Sequence, residues 1–211
     1  MEKIVVIGGG GHAKVIISIL KKNGRFDIAG FTDITEKPKI LCIPYLGKDD
    51  SLYSLYKNGV ENCVIGIGQI KTSVIRKEIH EKVKMIGFEL PAIISPQAIV
   101  NEEVAIGEGT VVMDGVVINS GTRIGECSII NTKASIDHDC RIGNFTHIAP
   151  GVTLSGEVEI GDDVLIGTGS SVIQGIKIAN GCLISAGSSV QSSITERGIY
   201  RGIPAKLIKN L

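Results

Sequence analysis

The sequence has no net charge, no long basic run and no long apolar run. These absences exclude several classes of protein. Its 22 Lys and Arg balance 22 Asp and Glu, so we expect neither a nucleic acid nor an anionic membrane as its partner. The first apolar run, Ile4 to Ile7, ends at once in Gly8. That run predicts neither a signal peptide nor a membrane span.

Cysteine and proline are also scarce. The five cysteines are an odd number with no CxxC pair, which is typical of a reducing cytoplasm rather than of a disulfide framework. Cys140 and Cys182 fall on inward positions of the repeat described below, so we interpret them as core residues. The six prolines stand against 27 glycines in 211 residues that are 43% hydrophobic. This composition favours a turn-rich cytoplasmic protein of one or two domains.

What the chain does have is a six-residue pattern that repeats without a break from Ile94 to Thr195. Every sixth residue is aliphatic, and no insertion shifts the frame. These positions are Ile94, Val100, Ile106, Val112, Ile118, Ile124, Ile130, Ile136, Ile142, Ile148, Leu154, Ile160, Ile166, Val172, Ile178, Ile184 and Val190. A repeat this short cannot bury its apolar side alone, so the repeats must stack to create a core.

The repeat predicts a triangular coil. A strand of about three residues followed by a turn makes one side, and three sides make a coil of about eighteen residues, so the seventeen hexads form nearly six coils. We expect an all-β parallel β-helix over residues 91–211, including a C-terminal tail. Residues eighteen apart should then lie one above another.

One outward column of this helix is apolar except for a histidine at its centre. Its members are Val111, Ile129, His147, Leu165 and Leu183. An exposed apolar strip on a rigid prism indicates a contact surface, and identical prisms close readily into a ring. We therefore predict a homotrimer packed through or beside this face. The alternative is that the chain's own tail covers the strip.

The first ninety residues predict an α/β domain with Rossmann-like βαβ order. The predicted elements are a strand over Lys3–Gly8, a helix over Ala13–Asn23, a strand over Ile28–Thr32, a short helix over Asp50–Lys57, a strand over Cys63–Ile67, a helix over Thr72–Val83 and a last strand over Phe88–Ile93. This alternation is typical of a parallel sheet.

A glycine loop joins the first strand to the first helix of this domain. Gly8, Gly10 and Ala13 have the spacing of the dinucleotide fingerprint, and Asp33 follows about twenty residues later. Backbone N–H groups and the helix dipole favour a phosphate at such a loop. The alternative is a glycine turn needed only for close packing. Ninety residues are half of a full dinucleotide domain, so we expect a nucleotide diphosphate rather than NAD.

His138, flanked by Asp137 and Asp139, falls at a turn, where its ring projects from a corner of the coil. That corner is opposite the face that carries His147, so the two histidines cannot share a site within one chain. Imidazole titrates near neutral pH and can accept a proton from an attacking amine. Either aspartate could orient the ring, and Gly156, eighteen residues on, could stabilise an oxyanion with its N–H. The alternative is a corner histidine that only satisfies the turn.

Seven segments carry a resemblance to a known family. They are Gly8–Lys14, Phe31–Asp33, Ile67–Gly68, Asn131–Thr132, Ile136–Gly143, Phe145–His147 and Gly202–Lys206. Through them the whole chain resembles the bacterial sugar acetyltransferases that join a small Rossmann-like domain to a left-handed β-helix. That family includes bacillosamine and perosamine N-acetyltransferases and sialic acid O-acetyltransferases.

The resemblance implies roles for particular residues. It implies that His138 is the general base and that Asp139 raises its basicity. Acetyl-CoA contacts are implied, in a cleft between subunits, at His147, Gly156, Thr168 and Ala186. Contacts to a nucleotide sugar are implied at Gly10, Gly11, His12, Asp33 and Gly68. Where the bacillosamine-type enzymes have two acidic residues, this chain has Asp33 followed by Ile34.

The predicted function is therefore acetyl-CoA-dependent N-acetylation of the 4-amino group of a nucleotide-linked deoxy-amino sugar, by direct transfer and without a metal. Acetylation of a hydroxyl on sialic acid or a related sugar is the alternative. A β-helix carbonic anhydrase would need about three histidine ligands for zinc, and only His138 and His147 lie in the coils. A purely structural β-helix would leave the glycine loop unexplained.

Overall fold

The computed structural model describes residues 1–70 and 73–211, which divide into two compact units. The first unit comprises Met1–Gly68 and Val74–Pro96, and the second comprises Gln69–Ser73 and Gln97–Leu211. Among the described residues, no helix is long and apolar enough to span a membrane.

The first unit is a three-stranded parallel sheet with helices in its connections. Its elements are β1 (Glu2–Ile7), α1 (Gly11–Asn23), β2 (Phe26–Thr32), a 3₁₀ turn (Asp49–Ser51), α2 (Leu52–Lys57), β3 (Asn62–Ile65), α3 (Val74–Ile86) and β4 (Ile93–Ile94). The strand order is β2-β1-β3. Residues Ile4 to Ile7 of β1 are completely buried, which is why the central strand is an unbroken aliphatic run.

The predicted elements of this unit are found, with two changes near its end. The helix predicted from Thr72 starts at Val74 in the described chain, and Thr72 itself lies outside the described residues. The strand predicted over Phe88–Ile93 is found only at its last residue, where Ile93 begins β4. Glu89 forms only an isolated bridge with Asn62, and Pro91 has no N–H with which to continue a ladder.

The second unit consists of two-residue strands that recur every six residues. They are β5 (Ile99–Val100), β6 (Ala105–Ile106), β7 (Val111–Val112), β8 (Val117–Ile118), β9 (Arg123–Ile124), β10 (Ile129–Ile130), β11 (Ser135–Ile136), β12 (Arg141–Ile142), β13 (His147–Ile148), β14 (Thr153–Leu154), β15 (Glu159–Ile160), β16 (Leu165–Ile166), β17 (Ser171–Val172), β18 (Lys177–Ile178), β19 (Leu183–Ile184) and β20 (Ser189–Val190). Every third strand belongs to the same parallel sheet, so the coils have three faces.

The register between coils is eighteen residues throughout. Ser135 pairs with Thr153 on one face, for example, and Arg141 pairs with Glu159 on the next. The tail adds β21 (Gly198–Arg201), parallel to β19, and then β22 (Lys206–Asn210), antiparallel to β21. The predicted fold class, a Rossmann-like α/β domain followed by a parallel β-helix of hexapeptide repeats, is confirmed.

Buried hydroxyl groups connect successive coils inside the helix. The Thr146 hydroxyl donates to the carbonyl of Gly161 at 2.8 Å and accepts the N–H of Val164 at 3.2 Å. Ser128 repeats the pattern one coil earlier, where its hydroxyl donates to the carbonyl of Gly143. These side chains are buried, so each bond satisfies a polar group that water cannot reach.

The predicted exposed apolar strip is only partly present. Val111 and Ile129 are completely buried within one chain, so that part of the expectation is wrong. Farther along the column, the N-terminal part of the second unit contacts the same face. His147 Nδ1 lies 2.7 Å from the carbonyl oxygen of Gln69. Sequence spacing could not reveal this contact because its members are 78 residues apart.

We expect Thr146→Val to lower the free energy of unfolding by about 1–3 kcal/mol, because it leaves the buried N–H of Val164 and the carbonyl of Gly161 without their partner. Thr153→Val is the matched control, since Thr153 is an exposed residue of the outer surface. Urea unfolding followed by circular dichroism measures both. Equal midpoints for the two variants would contradict this account of the core.

Candidate active site

The turn between β11 and β12 carries the His138 side chain. That side chain is about half exposed, at 49%, and its Nδ1 lies 2.9 Å from Asp139 Oδ2. Asp139 has a left-handed backbone conformation with φ of 57°, which an aspartate adopts more readily than most residues. The turn position predicted for His138 is confirmed.

Three carboxylates act on the ionisation of His138. The hydrogen bond with Asp139 raises the pKa of His138 above its usual value of 6.5, and the charges of Asp137, Asp139 and Glu157 raise it further. If Nδ1–H donates to Asp139, the lone pair lies on Nε2. Within the described chain no group hydrogen-bonds to Nε2, so the arrangement leaves a neutral imidazole nitrogen available as a base.

Two glycines of neighbouring coils make room for this pair. A β-carbon at Gly156 would lie 2.5 Å from His138 Nε2 and 2.6 Å from Cε1. One coil before the pair, a β-carbon at Gly121 would lie 2.5 Å from Asp139 Oδ1. Any larger residue at either position must therefore displace the ring or the carboxylate. Gly156 was predicted to lie above His138, whereas Gly121 was not identified, although its offset of eighteen residues from Asp139 could have revealed it.

The two aspartates beside His138 have different contacts, and this resolves which of them orients the ring. Asp139 contacts the ring, whereas Asp137 Oδ1 accepts the backbone N–H of His138 at 2.8 Å. The same oxygen accepts the amide N–H of Asn119 at 2.8 Å. These bonds, from Asn119 first and His138 second, hold the pKa of Asp137 below its usual value. Sequence reasoning missed Asn119.

His147 lies on β13, and both of its ring nitrogens contact other groups. Nε2 lies 3.0 Å from Asn131 Nδ2, and Nδ1 lies 2.7 Å from the Gln69 carbonyl. Asn131 Oδ1 accepts the N–H of Thr132, so the amide presents its nitrogen to the histidine. His147 Nε2 therefore faces a donor, and its Nδ1 faces an acceptor.

Thr168 and Ala186 are exposed turn residues on another corner of the coils. They stand one above the other, and the Gly187 N–H donates to the Thr168 carbonyl at 2.9 Å. The structure thus brings His138, Asp139 and Gly156 together, and it separately stacks Thr168 and Ala186. The register places the two groups on different corners, so they do not meet within one chain.

The two core cysteines offer no nucleophile to this site. Cys140 and Cys182 are buried, and burial raises the pKa of both thiols. A thiol with a raised pKa is a poor source of thiolate. The interpretation of these cysteines as core residues is confirmed.

The glycine loop lies at the carboxyl end of β1 in the first unit. Gly10 precedes the first turn of α1, and a β-carbon at Gly10 or at Gly11 would meet no atom within 4 Å. Gly68 lies against His12, with 3.6 Å between its β-carbon position and the His12 Cβ. The loop therefore presents an open helix N-terminus, which suits an anionic group.

Asp33 contacts this loop through one carboxylate oxygen and its own turn through the other. Oδ2 accepts the Gly9 N–H at 2.7 Å and Lys37 Nζ at 2.8 Å, and Oδ1 accepts the Thr35 N–H at 2.9 Å. Burial alone would raise the pKa of Asp33, but the bonds from Lys37, Thr35 and Gly9 outweigh it and lower the pKa. Lys37, which sequence reasoning missed, also donates to the Gly9 carbonyl at 3.0 Å.

Comparison with known proteins places this arrangement in a family. Residues 3–83 match the family described as the PglD N-terminal domain. The chain is 33% identical to UDP-N-acetylbacillosamine N-acetyltransferase of Bacillus subtilis over 116 residues, which are 54% of this chain and 52% of that enzyme. The match thus spans about half the length of this curated relative.

Two solved structures are similar over nearly the whole chain. PerB from Caulobacter crescentus, in complex with CoA and GDP-perosamine, is 36% identical, with a TM-score of 0.92 over 99% of this chain and 98% of that chain. The acetyltransferase domain of PglB from Neisseria gonorrhoeae, in complex with acetyl coenzyme A, is 33% identical, with a TM-score of 0.91 over 98% of this chain and 99% of that chain. The chain therefore belongs to the bacterial sugar acetyltransferases that join a Rossmann-like domain to a hexapeptide-repeat β-helix, as the resemblance predicted.

Proposed function

We propose that this protein transfers an acetyl group from acetyl-CoA to the 4-amino group of a nucleotide-linked deoxy-amino sugar. The observation that carries the proposal is the His138–Asp139 pair, with its Nε2 beside Gly156. The relatives support the substrate class, because one is named for bacillosamine and another binds CoA and GDP-perosamine.

The reaction follows from the chemistry of His138. The sugar nitrogen attacks the thioester carbonyl, and His138 Nε2 accepts the proton that the nitrogen loses. As the tetrahedral intermediate collapses, the new C–N bond remains, the C–S bond breaks, and the proton held by His138 passes to the CoA sulfur, which restores the neutral base. Asp139 stabilises the imidazolium formed on the way. A backbone N–H at Gly156 is our candidate for the donor to the oxyanion.

We propose that acetyl-CoA contacts His147, Gly156, Thr168 and Ala186. The group around His138 and the pair of Thr168 and Ala186 lie on different corners of the coils. One cofactor can contact both if a second chain supplies one of them. This arrangement supports a homotrimer in which the cofactor binds between the β-helices of neighbouring chains. The odd number of cysteines, with no CxxC pair, supports a cytoplasmic location.

For the first unit we propose nucleotide-sugar binding, with residues 1–90 as that domain and 91–211 as the acetyltransferase domain. The loop at Gly10 and Gly11 offers backbone N–H groups to the diphosphate. His12 and Gly68 form the neighbouring surface, and Asp33 maintains the loop. No metal is required by this scheme.

His138→Ala should lower kcat by roughly 10²–10⁴ because the attacking nitrogen loses its proton acceptor. The KM for acetyl-CoA and the trimer, checked by analytical ultracentrifugation, should be retained. Near-normal turnover in this variant would remove His138 from the mechanism.

Asp139→Asn should move the acidic limb of the kcat/KM profile to lower pH. The base works when neutral, so the rate rises with pH through the pKa of His138, and the lost carboxylate is the main cause that raises this pKa. Glu157→Gln is the matched control, because Glu157 acts only through its charge and should shift the limb much less. An unchanged limb in Asp139→Asn would contradict the assigned pair.

Lys37→Met should weaken binding of the nucleotide sugar roughly tenfold, because the loop loses charge-assisted bonds at Gly9 and Asp33, and should leave acetyl-CoA binding unchanged. Calorimetry with UDP-, GDP- and dTDP-linked 4-amino sugars measures this and identifies the nucleotide. Free sialic acid provides the comparison arm. Acetylation of sialic acid with no binding of any nucleotide sugar would overturn the proposal in favour of O-acetylation.

A further inference from the structure

A line of hydrogen-bonded amide side chains runs along the corner that carries His138. Asn101 Nδ2 donates to Asn119 Oδ1 at 2.8 Å, and Asn119 Nδ2 donates to Asp137 Oδ1 at 2.8 Å. Each step is eighteen residues, or one coil. The line reaches Asp137 in the coil of the proposed base, and the next residue of the column, Ser155, has no amide or carboxylate with which to continue it.

The line ends at the carboxylate of Asp137, which is hydrogen-bonded to the backbone of His138. Asp137 Oδ1 accepts both Asn119 Nδ2 and the N–H of His138. From inside the coil, the Thr122 hydroxyl donates to the Asp137 carbonyl at 2.9 Å and accepts the Cys140 N–H at 3.1 Å. The turn is therefore held on its outer side by amides and on its inner side by a hydroxyl.

A second ladder of side-chain hydrogen bonds, on another corner of the coils, provides a comparison for the Asn101–Asn119–Asp137 line, which we call the His138 ladder. There Asn180 Oδ1 accepts the Asp162 N–H at 2.9 Å, and Asp162 Oδ1 accepts the Asn144 N–H at 2.6 Å. Each side chain of that ladder contacts the main chain of the preceding coil. In the His138 ladder the amides instead contact one another, and only the final carboxylate contacts a main-chain N–H. The hydrogen bonds of the His138 ladder therefore converge on one backbone group, the N–H of His138, instead of connecting the main chain of every coil.

We propose that Asn119 is a positioning residue for His138 and acts through Asp137, an inference that rests on the proposed role of His138 as the base. The Asn119 amide favours the charged form of Asp137 and keeps Oδ1 over the His138 N–H. The carboxylates that face His138 are then Asp137, Asp139 and Glu157. With Asp137 fixed, the turn holds the imidazole in place for the attacking nitrogen.

The test compares Asn119→Ala with Asn180→Ala, its counterpart in the second ladder. We expect Asn119→Ala to lower kcat by about tenfold to a hundredfold through misplacement of the base, with KM for acetyl-CoA unchanged. Asn180→Ala should leave kcat unchanged although it also removes a ladder bond. Similar melting temperatures for the two variants would show that general destabilisation is not the cause. Equal kcat values for the two variants would overturn the proposal.

A readout that does not need activity separates this inference from the proposed function. Diethyl pyrocarbonate modifies neutral imidazole, so its rate at His138 against pH, followed by mass spectrometry, reports the ionisation of that ring. Asp137→Asn should move this profile to lower pH, because it removes a charge that raises the pKa of His138, whereas Asn119→Ala and Asn180→Ala should leave the profile in place, because Asp137 keeps its charge in both. Asp137→Asn should also retain more kcat than Asp137→Ala, because the amide oxygen still accepts the His138 N–H. An unmoved profile in Asp137→Asn would overturn the role of Asp137 beside His138, and with it the positioning role of Asn119, even if the wild-type protein acetylated no sugar.

Discussion

The site depends on one constraint, the parallel register that places every residue of a coil above the residue eighteen positions earlier. Adjacent strands of a sheet lie about 4.8 Å apart, so side chains in successive coils are always in contact range. This spacing puts His138 against Gly156 and Asp139 against Gly121. It also aligns the hydroxyls of Ser128 and Thr146 inside the helix. The same register therefore creates both the core and the site.

The two aspartates beside the base have different roles in this turn. Asp139 contacts the ring and favours its protonated form. Asp137 contacts the main chain of His138, and its hydrogen bonds with Asn119 and His138 lower its pKa. Because His138 is half exposed, water screens these charges. The proposed base therefore gains its basicity from the direct hydrogen bond with Asp139 more than from the surrounding charges, while burial lowers its pKa.

The sequence predicted the features that follow from periodicity. A six-residue repeat is enough to derive the three faces, the register and the proximity of His138 and Gly156. It could not reveal contacts that depend on distant segments. The Gln69 contact with His147 is of this kind, since the repeat contains no sign of it.

The glycine loop shows the same limit on a smaller scale. Its helix and strands follow from local spacing, and Asp33 was identified from its distance along the chain. The contacts of Lys37 with the loop were not predicted, because a lysine four residues after an aspartate is common on any surface. Only the fold brings its amine to the Gly9 carbonyl. The strand predicted across Pro91 failed for a local reason, the missing N–H.

The central claim is that Asp139 holds the proton of His138 on Nδ1 and leaves Nε2 as the base. Two-dimensional ¹⁵N NMR of the histidine rings, recorded through a pH titration, measures the tautomer and the pKa together. The account predicts a neutral His138 with its proton on Nδ1 and a pKa above 6.5. A proton on Nε2, or a pKa below that value, would contradict it.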